Sequence, residues 1–322
     1  MPPDPLGYAE PLPFQERYYP AGFPLLLRTN SRDILTAAEH GWGEFRPLYE
    51  TTPIELRVLV RRNGAEPPPA ASEGPVYRAQ GHLLALVLGA ENFALCDLDR
   101  GFGFAWLSPG VAQHHLYTGF HFLDGMAYTC LCHRYLTPIH AACVAYHGAG
   151  LLLVGDSGAG KSSLAWASAR AGLTYVCDDA AWLLRDGVEP TIIGKPQRLR
   201  FQPDIFEILP ELEALPRLET VPGKRSFEIR TAGVPGLATA ARCRPAAIVF
   251  LARQVSGPAE LESLEPEVAH RRLATAQVTW EPRVWAEQEV SLGRLAGCPA
   301  WELRYSSLPG AVVRIRELAE TL

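Results

Sequence analysis

The chain is poor in lysine. Of its 30 basic residues only three are lysines, at Lys161, Lys195 and Lys224, and there are only two methionines. Acidic residues outnumber basic ones, 35 to 30, for a formal net charge of −5. Broad electrostatic adhesion to nucleic acid or to an anionic membrane surface is therefore not expected. No apolar run approaches the ~18–20 residues of a membrane-spanning helix. The opening stretch, MPPDPLGYAEPLPF, has neither a basic region nor an apolar core, so no secretory signal is expected. Seven cysteines lie scattered along the chain rather than in a framework, which predicts reduced thiols and a cytoplasmic setting. Cys130-x-Cys132-His133 fits no common zinc spacing, and its apolar surroundings assign it to packing. His114, His115 and His121 complete no metal pattern either.

A 48% hydrophobic and 20% charged composition can build a full core. At 322 residues the chain exceeds the roughly 250–300 at which one core stops growing, so its length suggests one large or two moderate domains, and the change in pattern near Pro138 divides it in two. Residues 1–135 read as an α+β domain. It begins with a Pro-rich extended arm at 1–20 and continues with strands at Phe23–Leu27 and Ile54–Val60 around a short helix near Ile34–Ala38. A Pro- and Gly-punctuated surface loop at 61–78 follows. Three more strands come next, at His82–Leu88, Asn92–Asp97 and Gly103–Leu107, with a hairpin turn at Asp99-Arg100-Gly101. Val111–Tyr135 reads as one buried helix.

Residues 136–322 read differently. Ile139–Tyr146 is a strand, His147–Gly150 a turn, Leu151–Val154 a fully buried strand, Lys161 to about Ala171 a helix, and Leu173–Cys177 another buried strand. This is the strand–loop–helix–strand order of an α/β fold. Further strands are expected at Trp182–Leu184, Thr191–Ile193, Arg198–Phe201, Phe227–Ile229, Ala246–Leu251 and Trp301–Tyr305. Helices are expected at Asp204–Leu209, Val284–Ala296 and Ala311–Leu322.

Between the buried strand and the helix lies Gly155-Asp156-Ser157-Gly158-Ala159-Gly160-Lys161-Ser162, with Ser163 beside it. The run matches G-x-x-x-x-G-K-[ST] completely, and chance would place it in about two chains per thousand of this composition. Each part has a chemical reason. The glycines let successive N–H groups turn inward as an anion nest. The helix N-terminus adds partial positive charge. Lys161 can reach the outer phosphates of a nucleotide, and the Ser162 hydroxyl can meet Mg²⁺. One of only three lysines stands at the required place.

Such a loop needs a carboxylate near the metal, and the next strand ends in Asp178-Asp179. If that strand lies beside Leu151–Val154, both carboxylates fall at the edge that carries the loop. Neighbouring strand residues point opposite ways, so two roles are expected: one towards the metal, one towards an acceptor. His140 opens the strand before the loop, and taken alone is more often structural.

Taken together, His140 at the head of a strand, the hairpin, the G-D-S-G-x-G-K-S run, the Arg170-Ala-Gly helix end and the closing Asp178-Asp179 resemble the catalytic core of the HPr kinase/phosphorylase family. The spacings match without gaps over about 40 residues. The resemblance implies a P-loop fold akin to phosphoenolpyruvate carboxykinase, and an ATP- and Mg²⁺-dependent serine kinase. It implies that Gly155–Ser162 holds the triphosphate with Ser162 on Mg²⁺. Asp178 would take the acceptor proton, Asp179 would support the metal, and His140 would sit beside Asp178 and the transferred group. Phe227-Glu228-Ile229-Arg230-Thr231 resembles a later family signature with Thr in place of Gly, and implies Glu228 as a metal ligand and Arg230 as a phosphate contact. It is preceded by an inserted Pro- and Leu-rich stretch at 202–222. Residues 1–130 do not resemble the family's usual N-terminal domain, so the whole is similar to its divergent members, whose acceptors are other hydroxyls on peptides or proteins.

Lys195, Arg198, Arg200, Lys224 and Arg225 form two basic groups that could meet a phosphate or an acidic peptide, although solvated charge is the commoner role for such residues. Two other functions fit the same residues: a nucleotide-binding sensor or scaffold without turnover, and a kinase of small-molecule hydroxyls. No nucleic-acid or membrane partner is expected. A homo-oligomer is left open.

Overall fold

The computed structural model describes residues 10–61, 73–186, 189–220, 226–274 and 280–322. Lys224 and Arg225, and most of the expected loop at 61–78, lie outside them. The chain forms two compact units, one drawn mainly from Met1–Arg134 and the other from Tyr135–Glu219 and Arg225–Leu322. It is a mixed α/β protein with three sheets.

The first unit is built on seven strands: β1 (Phe14–Tyr18), β2 (Leu25–Thr29), β3 (Ile54–Val60), β4 (Val76–Gln80), β5 (Leu83–Leu88), β6 (Asn92–Asp97) and β7 (Phe102–Leu107). They line up as β1-β2-β3-β7-β6-β5-β4. The middle pairs, β2 with β3 and β3 with β7, are parallel, and the rest are antiparallel. Alternate residues, such as Leu25 and Leu27, Leu56 and Val58, and Leu84 and Leu86, are buried. The helices α1 (Arg32–Trp42) and α4 (Gly125–Arg134) pack against this sheet, and Ser31 caps α1 by accepting from the Asp33 amide. Two sequence expectations need correction here. The Pro-rich arm contains β1, whose register with β2 is continuous from Phe14 to Tyr18; flanking prolines hid a strand that pairs only at a sheet edge. The single helix expected over Val111–Tyr135 is broken into α2 (Pro109–Ala112), α3 (His115–Thr118), a π-helical turn at Gly119–Asp124, and α4.

The second unit carries β8 (Leu136–Ile139), β9 (Ala141–Tyr146), β10 (Ala149–Val154), α5 (Lys161–Arg170), β11 (Thr174–Cys177), β12 (Ala181–Leu184) and β13 (Ile192–Ile193). It continues with β14 (Arg198–Phe201), β15 (Arg217–Leu218), β16 (Phe227–Arg230), β17 (Arg242–Arg253), β18 (Glu260–Leu264), α6 (Pro266–Ala274), α7 (Pro282–Leu295), β19 (Ala300–Tyr305) and α8 (Leu308–Glu320). The main sheet runs β11-β9-β10-β17-β13-β12-β8, with β19 and β18 branching from β17. Leu151 and Leu153 of β10 pack into one apolar layer with Leu164 of α5 and Ile315 of α8. Leu152 points the other way, into a layer with Leu273 of α6 and Leu292 of α7. The central strand is covered on both faces, which is why it reads as an unbroken apolar run rather than an alternating one. A small sheet, β14-β16-β15, joins the first layer through Leu199, Phe201, Phe227 and Ile229.

The order of this sheet corrects one premise. The strand that ends in the paired carboxylates, β11, does not lie beside β10. Antiparallel β9 lies between them and pairs with both. Two antiparallel steps restore the direction, so β10 and β11 still finish at the same edge. The short 3₁₀ turn at Pro203–Glu207 replaces the expected helix at Asp204–Leu209. Among the described residues no helix is long and apolar enough to cross a membrane.

Candidate functional site at the sheet edge

Four chain segments meet where β10 ends. The loop Gly155–Gly160 leaves β10, and β17 and β19 run parallel to β10 and finish beside it. Residue Ala141, the first of β9, pairs with Val154, the last of β10, so His140 stands at the loop. Carboxyl ends of parallel strands are where open α/β sheets gather ligands.

The loop is shaped by close approaches. Gly160 has φ +91°, in the left-handed region, and a Cβ there would collide with the Tyr305 hydroxyl. That hydroxyl donates to the Ala159 carbonyl at 2.6 Å, so the last residue of β19 braces the loop. A Cβ on Gly155 would lie 2.9 Å from that of Ala159. The Ala159 amide donates to the Asp156 carbonyl, closing the turn, and α5 starts at once with Lys161. Asp156, Ser157 and Gly158 are exposed, whereas Ser162 and Ser163 in the first turn of α5 are partly buried.

Lys161 is buried, and its ammonium donates to the Gly155 and Asp156 carbonyls at 2.7 and 3.1 Å. Burial lowers its pKa, and the charges of Asp179 and Asp156 work against that shift. The Ser162 hydroxyl donates to the Asp178 carbonyl at 3.5 Å, which sets the end of β11 against the start of α5.

Asp178 is largely enclosed. Loss of water pushes its pKa up to about 6, and the neighbouring charge of Asp179 adds to the rise. The Arg200 amide donates to its Oδ2 at 2.6 Å and, with the Arg200 guanidinium, holds the rise in check. Asp179 points elsewhere, to an exposed position where its Oδ1 lies 3.3 Å from His140 Nδ1. The two carboxylates therefore occupy different environments, one enclosed and one wet, as alternation along a strand end requires.

Arg200 and Arg198 are the residues that sequence reasoning undervalued. Arg200 pairs across the small sheet with Glu228. Its Nη2 and Nε donate to Glu228 Oε1 at 2.6 and 3.0 Å, and Arg198 Nη1 donates to Oε2 at 3.3 Å. Burial alone would lower the Arg200 pKa, but Glu228 and the Asp178-Asp179 pair outweigh it and raise it. The Tyr175 hydroxyl donates to the Arg198 carbonyl, fixing β14 beside β11, and burial raises that phenol well above its usual range. The available signal was the alternation of Arg198-Leu199-Arg200-Phe201, which places both arginines on one face. Only the register with β16 adds the glutamate.

The expected metal set is thus brought together in part. Ser162 and Asp179 flank the loop, and Mg²⁺ commonly takes one or two protein oxygens together with phosphate oxygens and water. Glu228 does not fit, because both its oxygens are engaged by guanidinium groups. No group of three or more metal-binding side chains occurs among the described residues. Arg230 is exposed at the end of β16, opposite Arg198. Thr231, which replaces the expected glycine, is buried, and its hydroxyl donates to the Pro196 carbonyl at 2.6 Å, tying β16 to the segment before β14.

No protein family matches this chain, and no curated protein does. Among solved structures it is similar to the HPr(Ser) kinase/phosphatase from Coxiella burnetii, at 13% identity and a TM-score of 0.30, over 57% of this chain and 99% of that one. The likeness is distant and carries no functional conclusion by itself.

Proposed function

We propose that the second unit is a P-loop phosphotransferase that moves the γ-phosphoryl group of ATP to a serine-like hydroxyl. The observation that carries this reading is Asp178: an enclosed carboxylate, held by a backbone amide, whose pKa of about 6 stands near neutral pH, beside a loop with a buried lysine. Nucleotide binding alone needs only the loop, whereas a general base works best with a pKa near the working pH.

In this reading the amides of Gly155–Ser162, the N-terminus of α5 and Lys161 hold the polyphosphate. Asp178 accepts the proton as the hydroxyl oxygen bonds to the γ-phosphorus, and the bond from that phosphorus to the β-bridging oxygen breaks, releasing ADP. Bound Mg²⁺, held by Ser162 and by Asp179 or its waters, would neutralise phosphate charge. His140, near Asp179, orients that carboxylate and lies at the same edge. Arg200 positions Asp178 through its amide, and Glu228 anchors Arg200. The acceptor is a peptide or protein hydroxyl, with residues 1–135 serving the acceptor or a partner.

The test is transfer from γ-labelled ATP, with nucleotide affinity measured in parallel. Lys161→Ala should weaken ATP binding and abolish transfer, since it removes the loop cation. Unchanged affinity and turnover in that variant would sink the reading.

A further inference from the structure

The seven-stranded sheet has one face covered by α1 and α4, and a second face that carries the other half of each strand. On that second face cross-strand neighbours form a continuous apolar band. Val76 pairs with Val87, Val87 with Phe93 and Phe93 with Trp106; one step along, Ala85 pairs with Leu95 and Leu95 with Phe104. The band is open to solvent: Val76, Leu83, Val87 and Leu95 are 40–54% exposed. With strands about 4.8 Å apart and like-facing residues about 6.7 Å apart, it spans roughly 15 by 13 Å, the footprint of two to three helical turns. Its aromatic part is ordered by its own contacts, with Phe93 edge-on to Trp106 at 5.5 Å and the Arg61 guanidinium 4.6 Å above the Trp106 ring.

Charge decides what could cover it. The strands of this face carry Arg17, Arg28, Arg57 and Arg78 and two acids, Glu55 and Asp97, while Arg61, above Trp106, is already paired with Glu91 at 3.5 Å. Both acids already have arginine partners: Glu55 lies 3.4 Å from Arg28, and Asp97 lies 3.6 Å from Arg100. Among the described residues no carboxylate pairs with Arg17, Arg57 or Arg78, and the Nε of Arg57 is buried without an acceptor. An apolar band flanked by unpaired guanidinium groups complements an apolar stripe flanked by carboxylates. A second copy of the same face would oppose arginine with arginine.

We propose that this open face is the docking surface for an acidic amphipathic helix of a partner protein. The proposal is independent of the phosphotransfer reading. It differs from recognition along a strand edge, because side chains rather than main-chain groups make the contact.

A dye-labelled helix of about 18 residues, with a leucine stripe flanked by glutamates, tests this by anisotropy against the full chain. A control helix carries lysine in place of glutamate. The glutamate helix should bind saturably and at least about tenfold more tightly at low salt, and the preference should shrink as salt screens the charges. Leu95→Glu and Val76→Glu each alter an exposed side chain, so folding, checked by circular dichroism, is retained; each should weaken binding about tenfold or more. Arg57→Glu should abolish the preference for glutamate over lysine. Equal binding of the two helices, no binding of either, or binding indifferent to Leu95→Glu and Val76→Glu would each overturn the proposal. So would self-association abolished by Leu95→Glu, which would make a second copy the occupant, or displacement of the helix by oligouridine, which would make the face a nucleic-acid platform.

Discussion

Asp178→Asn is expected to damage activity and improve stability at once. The carboxyl is raised from 3.8 to about 6 in the folded protein. At 1.36 kcal/mol per pH unit, keeping it ionised at pH 7 costs the fold about 3 kcal/mol. The sign follows from proton counting. Between about pH 4 and 6 the folded state holds a proton that the unfolded chain has released, so stability falls as pH rises through that window. Above it the cost is complete; below it the cost is gone. Asparagine has no such charge, and its carbonyl oxygen still accepts from the Arg200 amide. The variant should therefore exceed the wild type by up to ~3 kcal/mol at pH 7, or about 6–12 °C in the melting midpoint for a unit of this size, and by nearly nothing at pH 4. Transfer should fall by about 10²–10⁴, the worth of a positioned base. The wild-type rate should climb with pH through about 6 and then level off. Thermal unfolding from pH 3.5 to 7.5, beside a transfer assay, reads both quantities. A stability gap that is absent at pH 7, or equally large at pH 4, refutes the burial argument. Wild-type transfer by the variant refutes the base.

Three further outcomes are expected. Gly160→Ala forces a side chain into a left-handed backbone and against the Tyr305 hydroxyl, so ATP affinity should drop in a titration, and Tyr305→Phe in the same chain should restore part of it. Glu228→Gln strips the charge that faces Arg198 and Arg200 and should cost about 1–3 kcal/mol in denaturant unfolding while leaving the Mg²⁺ requirement unaltered; a raised requirement would return Glu228 to the metal. Asp179→Asn should shift transfer to higher Mg²⁺ with ATP binding retained, and an unchanged Mg²⁺ curve counts against its metal-side role.

The parts of the candidate site that are legible in the sequence are those held by local geometry. The order from the turn at His147–Gly150 through the loop to Asp178 is a strand, a helix and a return strand. Glycines, an apolar run and a strand end announce each piece. The intervening position of β9 was not legible, because antiparallel pairing on both sides leaves no mark that distinguishes it from an edge strand. Arg200 was harder still. It meets Asp178 from 22 residues away, through a backbone amide that carries no residue identity, and its partner Glu228 stands 28 residues further on. Long-range pairing of charges across a small sheet has no periodic signature. β1 was missed for a different reason: its prolines signalled a break, yet they lie outside the five residues that pair.

The tie from Tyr305 to Ala159 spans 146 residues of chain. Translation runs from one end, so the loop emerges from the ribosome long before its strut exists. At about 5–20 residues per second the delay is roughly 7–30 s. During that interval the nascent chain carries the complete loop sequence without the hydroxyl that braces it. Any product that stops short of residue 305 shares that condition permanently. Timing thus falls to the strand that carries Tyr305, which withholds a braced loop until residue 305 has been made.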